Sequence, residues 1–145
     1  MPRAYASAVI ESPVEEVWKH VHDFNNVAAW HPAVAESRVE DGGAGDRVGC
    51  VRVLCMADGS QVRERLTALS DAEHSYSYSV VESPFPIRGH HSTVSFLPVT
   101  ADGRTFVQWS AEFEVTAGSA DEVVDGVIQG TMLPGFIGLA KAAGH

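Results

Sequence analysis

The 145-residue sequence predicts an α+β domain: a curved antiparallel sheet with helices at both ends, the last helix covering one face. Three observations carry this expectation. A proline-started, amphipathic helical segment follows the first strand-like run. Short alternating runs, punctuated by Gly-, Asp- and Pro-rich turns, fill residues 34–116. A long segment opening at Ser119 closes the chain and is the one element long enough to cover the sheet.

The elements follow in order. Residues 3–11 read as a strand. Ser12-Pro13-Val14-Glu15 then has the pattern of a helix start, with Ser12 as cap, Pro13 at the first helical position and Glu15 completing a capping box. Val14, Val17, Trp18 and Val21 share one helical face. A second short helix over Phe24–Trp30 stops ahead of Pro32, because the residue before proline avoids the helical region. Strands are expected near 34–40, 46–56, 60–69, 74–82, 89–99 and 104–116, with turns at Asp41–Gly45, Ala57–Gly59, Ser83–Pro86 and Ala101–Gly103. Ser119 caps a last helix whose first turn holds Asp121 and Glu122. Over 120–142 that helix would span about 35 Å, with a kink near Pro134.

Composition narrows the function. A net charge of −9 argues against nucleic acid and anionic membrane surfaces as partners. The first residues are too short and polar for a secretory leader, and no apolar run approaches the ~20 residues that span a bilayer. Cys50 and Cys55 lie an odd number apart on one predicted strand, hence on opposite faces and unpaired, which suits a reducing cytoplasm. One domain over 1–145 is expected, as a monomer or a homodimer.

Strand alternation says which side chains point at the covering helix. Val62, Leu66 and Ala68 share a face and carry Glu64 with them. Tyr76, Tyr78 and Val80 oppose three serines. Val94 and Phe96 bring His90 and Ser92 inward. Val107, Trp109, Ala111, Phe113 and Val115 form the inner face of the last strand. The faces of 46–56 stay ambiguous. The interior then holds Glu64, Tyr76, Tyr78, His90, Ser92 and Trp109, and Arg52 on one choice of face. Unpaired polar groups are costly to bury, by about 1–3 kcal/mol each or more. Either they line a cavity and meet a ligand, or they satisfy one another in a closed core, for example Glu64 with Arg52 or His90.

The stretches Asp46–Arg52, Arg63-Glu64-Arg65-Leu66, Ser70–Glu73 and Tyr76–Val81, with the element order, resemble bacterial START-like polyketide cyclase/dehydrase proteins of the birch-pollen-allergen type. They are distantly similar to the plant abscisic acid receptors. The resemblance implies a helix-grip fold, with a seven-stranded sheet gripping the C-terminal helix and a cavity between them. It implies that Cys50, Arg52, Leu54 and Met56 face that cavity, with Glu64, Tyr78, His90, Ser92 and Trp109. The hormone receptors hold a ligand carboxylate with a lysine just after the second helix. Here that region reads His31-Pro32-Ala33-Val34, which rules out hormone reception.

The expected function is therefore binding of a hydrophobic or polyketide-like small molecule, with no cofactor and no metal. Glu64, His90 and Tyr78 are the candidate catalytic residues for an acid–base cyclisation or dehydration. Arg52, Leu54, Met56, Val62, Tyr76, Val80, Ser92, Trp109, Val127 and Thr131 are the candidate substrate contacts, joined by Phe85 and Ile87 from an apolar loop. A non-catalytic carrier or sensor is the alternative. His20 with His22, and His90 with His91, cannot share a metal at their spacings. His31 reads as a surface histidine, with the cavity mouth as its alternative position. A pocket of at least ~300 Å³ is expected, entered between Ala57–Ser60 and Ser83–Ile87.

Overall fold

The computed structural model describes residues 1–144. Strand β1 (Arg3–Ile10) leads into helix α1 (Val14–Val21) and a 3-10 helix (Phe24–Ala29). Six strands follow: β2 (Val34–Val39), β3 (Val51–Met56), β4 (Gln61–Ser70), β5 (Ser75–Glu82), β6 (Ile87–Pro98) and β7 (Thr105–Val115). They form one antiparallel sheet in the order β1-β7-β6-β5-β4-β3-β2, so β2 to β7 are a meander and β1 closes on β7. This is the α+β arrangement that the short, evenly spaced turns predict.

The inner face follows from alternation. Along β7, Val107, Trp109, Ala111 and Phe113 are buried, and their β6 neighbours Val94 and Phe96 are buried beside them. One expectation fails there: Ala68 is exposed. A register shift between Leu66 and Ala68 inserts an extra residue in β4, so Leu69 instead of Ala68 lies opposite Tyr76. Strand β3 starts at Val51, five residues later than expected. Gly49 has φ +97°, and Cys50 N–H closes a turn onto the Arg47 carbonyl. Cys50 and Cys55 are both free thiols.

The start of α1 also differs from its sequence signature. Pro13 takes the cap position, and the Ser12 hydroxyl donates to the Ala143 carbonyl (3.1 Å), tying the first loop to the end of the chain. Ser119, by contrast, caps as expected, its oxygen accepting from Glu122 N–H (3.4 Å).

The C-terminal helix runs 25 residues, Ala120–Gly144, as α2 (Ala120–Val127), a π-helical stretch (Ile128–Met132) and α3 (Leu133–Gly144). Its most apolar window has a mean hydropathy of 1.4, so by length and composition it could cross a bilayer, contrary to the sequence reading. Here it lies on the sheet, burying Met132, Gly135, Phe136 and Leu139. The irregularity falls one turn ahead of Pro134. Leu133 N–H reaches back five residues to Ile128, and Pro134 has no N–H to continue the ladder.

Two glycines let this helix approach the rest of the fold. A Cβ on Gly138 would collide with the Trp30 carbonyl oxygen. One on Gly135 would stand 2.9 Å from the Trp109 ring and 3.2 Å from the His31 ring.

Candidate functional site

Between the inner face of the sheet, the 3-10 helix and the π-helical stretch lies a cavity of about 80 Å³. Arg52, the Tyr78 and Trp109 rings, Met132, Ile87 and the half-exposed Phe85 line it, and it is smaller than the ~300 Å³ expected. A void of this size exceeds the ~10–15 Å³ one water needs but falls short of the ~150 Å³ apolar cavity known to hold benzene. Outside it, a groove of about 190 Å³ runs along α2. Phe85, Ile87, Val127 and Thr131 border both spaces and form the wall between them.

The polar end is built on an ion pair. Arg52 on β3 and Glu64 on β4 are register partners, and both are buried. Arg52 Nε and Nη2 both donate to Glu64 Oε1, at 2.9 and 2.7 Å. Arg52 Nη1 donates to the Phe24 carbonyl (2.5 Å), and the guanidinium lies flat against the Phe24 ring, 3.6 Å from its centre. All three guanidinium nitrogens thus have a protein partner. Glu64 Oε2 has none, yet among the described residues no fully buried side-chain oxygen lacks a hydrogen bond. Oε2 is therefore the edge that opens into the cavity.

Two histidines flank the pair, each in a fixed tautomer. Val80 N–H donates to His90 Nδ1 (3.1 Å), so the ring proton sits on Nε2 and donates to Ser92 Oγ (2.8 Å). His90 also stacks on Phe113. Burial pushes its pKa down, opposed by the Glu64 charge. Ser92 faces Tyr78 directly across the β5–β6 register. Burial drives the Tyr78 phenol far up, with the Glu64 charge adding to the rise.

His31, expected at the surface, is buried against the cavity. Its Nδ1 accepts from Ala33 N–H (3.1 Å), and its Nε2–H donates to the Thr131 carbonyl (2.8 Å). Gly135 leaves room for the ring. Burial lowers the His31 pKa as well. The signal for it was positional: a polar residue between Trp30 and Pro32, at a helix end the sheet must cover.

Glu64, His90, Tyr78, Arg52, Leu54, Met56, Val62, Val80, Phe85, Ile87, Ser92, Trp109, Val127 and Thr131 all line the cavity. Tyr76 does not. It lies behind Tyr78, stacked on it at 6.0 Å and edge-on to Phe24, with its phenol pushed up to about 12 by burial. Val27, Trp30, Val34, Ala111 and Met132 also line the cavity, unpicked in the sequence because each reads as ordinary core. Of the two expected entrance loops, Ser83–Ile87 supplies Phe85 and Ile87. The 57–60 turn supplies no lining residue: Ala57 N–H is tied to the Ala33 carbonyl (2.8 Å). Among the described residues, no group of three His, Cys, Asp or Glu side chains is placed to hold a metal ion.

Comparison with known proteins agrees with this architecture. The chain is 29% identical to the protein XoxI from Bacillus cereus, covering 99% of this chain and 96% of that one, with a TM-score of 0.87. A protein from Nitrosospira multiformis is 31% identical over 98% of this chain and 96% of its own, at a TM-score of 0.81. The Zhui aromatase/cyclase from Streptomyces sp. R1128 shares only 14% identity, yet superposes with a TM-score of 0.80 over 98% of this chain and 93% of that one, a likeness of fold. The family model described as "Polyketide cyclase / dehydrase and lipid transport" matches residues 1–144, so the helix-grip fold and its cavity are those of a member of the polyketide cyclase/dehydrase and lipid-transport family.

Proposed function

We propose that the cavity binds an apolar or aromatic small molecule, and that Glu64 and Tyr78 act on it as an acid–base pair in a cyclisation or dehydration of the polyketide type. The observation that carries this reading is the buried carboxylate whose one oxygen is held by Arg52 while the other has no protein partner, in a residue that lines a mostly apolar cavity. In that geometry Oε2 takes a proton from the carbon beside a ketone, and the Tyr78 hydroxyl donates to the oxygen that becomes the enolate. The proton held by Glu64 then passes to the departing hydroxyl, and water leaves. His90 packs beside the Tyr78 ring, with 5.6 Å between ring centres, and Ser92 is its cross-strand neighbour. The aromatase/cyclase activity of the Streptomyces neighbour is consistent with such chemistry in this fold.

A non-catalytic carrier is the second reading. It is favoured by the two histidines, whose ring nitrogens are all engaged by protein groups. Glu64→Gln separates the two. It keeps the shape and removes proton transfer. Dehydration of a β-hydroxyketone is followed by enone absorbance, and binding by the fluorescence of Trp30 and Trp109, which line the cavity. The enzyme reading expects turnover to fall by about 10²–10⁴-fold with binding retained. Wild-type protein that binds the ketone without turning it over supports the carrier.

A further inference from the structure

The polar end of the cavity is more selective than its size suggests. Arg52 and Glu64 cancel each other's charge at 2.7 Å, and both histidines are held neutral by backbone N–H groups donating to Nδ1. The lining therefore carries no net charge. A ligand carboxylate would meet the Glu64 carboxylate without a free cation to offset it, because the Arg52 charge is already paired with Glu64. A ligand ammonium would meet the Arg52 charge beside the carboxylate. Charged ligands are disfavoured on both counts, since burying an uncompensated charge is expensive.

The atoms left over have complementary polarity. Glu64 Oε2 can only accept. The Tyr78 side can donate, because the neighbouring polar groups are occupied with one another and take no proton from it. Val80 N–H fixes Nδ1 of His90 as acceptor, so His90 Nε2–H donates to Ser92 Oγ. The Tyr78 hydroxyl has no hydrogen-bond partner among the described residues, yet no fully buried side-chain oxygen lacks one, so it too opens into the cavity that Tyr78 lines. Its phenol proton, with no acceptor in the protein, is free for a ligand. One ligand group can both receive a proton from Tyr78 and give one to Glu64: a hydroxyl.

We infer that the ligand is a neutral, hydroxyl-bearing apolar molecule, an alcohol, phenol or enol, whose oxygen sits between Tyr78 and Glu64. This rests on the reading of the cavity as a small-molecule site. Within that reading it excludes fatty acids and other carboxylates.

Three probes of similar size test it: phenol, toluene and benzoate, titrated against the whole chain with Trp fluorescence as readout. The expected result is that phenol binds at least about tenfold more tightly than benzoate. In Tyr78→Phe the phenol-to-toluene affinity ratio drops about fivefold or more. In Glu64→Gln benzoate binding strengthens about tenfold, since Arg52 loses its partner and the amide nitrogen becomes a donor. If Glu64→Gln fails to fold, Tyr78→Phe carries the test alone. Equal binding of phenol and benzoate, or a phenol-to-toluene ratio indifferent to Tyr78, overturns the hydroxyl assignment and leaves the cavity standing. Binding of none of the three overturns the cavity reading and the assignment with it.

Discussion

Arg52 and Glu64 decide the character of the interior. A buried ion pair is a poor stabiliser in itself, because desolvation offsets most of its attraction, whereas removing one partner costs about 3–5 kcal/mol. Its presence beneath an apolar sheet is better explained by what Oε2 presents to the cavity than by stability. The histidines give a pH signature. Both His31 and His90 have pKa values lowered by burial from an ordinary 6.5, with Arg52 also lowering the first and His91 the second. The unfolded chain then binds more protons than the folded one below about pH 6.5, so their contribution is fully present above that value and is lost as pH falls. Urea unfolding at pH 7.5 and pH 5.5 should give a lower midpoint at the acid value, and His31→Gln should shrink the difference. An unchanged difference in that variant would show that His31 is not held neutral by the fold. Glu64, Tyr78, His90 and Ser92 were legible from the sequence because period-two alternation is unforgiving: a strand that buries Val94 and Phe96 must turn His90 and Ser92 the same way. His31 was not legible, since it lies in a loop without periodicity and its burial depends on a helix 100 residues later.

At the scale of elements, the C-terminal helix positions the site through small residues. Gly138 sits against the Trp30 carbonyl, and Gly135 against Trp109 and His31. Gly138→Ala should destabilise by at least about 2 kcal/mol, because the obstacle is backbone and cannot rotate away. Gly126→Ala, on α2 with nothing within 4 Å of the added carbon, should instead stabilise by about 0.5–1 kcal/mol through helix propensity alone. Thermal and urea denaturation of the two variants read these opposite signs. A neutral Gly138→Ala would mean that the helix does not lie this close to the 3-10 helix. The order of elements was readable from turn residues and periodicity, down to the Ser119 cap. Three local features were not. The bulge at Leu66–Ala68 has no sequence mark and reversed Ala68. Ser12, a plausible cap by spacing, found a partner in Ala143. The helix irregularity expected at Pro134 settled one turn earlier, in the π-helical stretch whose Thr131 carbonyl meets His31.

For the whole molecule, the sheet and helix enclose a space that is polar at one end and closed at the other by Phe85 and Ile87. The inner void of about 80 Å³ and the groove of about 190 Å³ beside α2 share that wall. A ligand larger than a few waters therefore requires the wall to shift, and Phe85, half-exposed on a Ser-Pro-Phe-Pro loop, is the side chain placed to do so. Volume was the one property of the cavity that alternation could not supply, because it depends on how the lining rings settle against one another. The central claim is that this interior, and not the outer groove, takes the small molecule. Amide chemical-shift titration with phenol tests it most directly, comparing the wild-type chain with Ala111→Phe, which fills the cavity from β7. The account predicts saturable shifts at Tyr78, Ser92 and Ala111 in the wild type that vanish in the filled variant. Shifts confined to Val123, Gly126 and Val127 along the groove, or shifts that persist in Ala111→Phe, would contradict it.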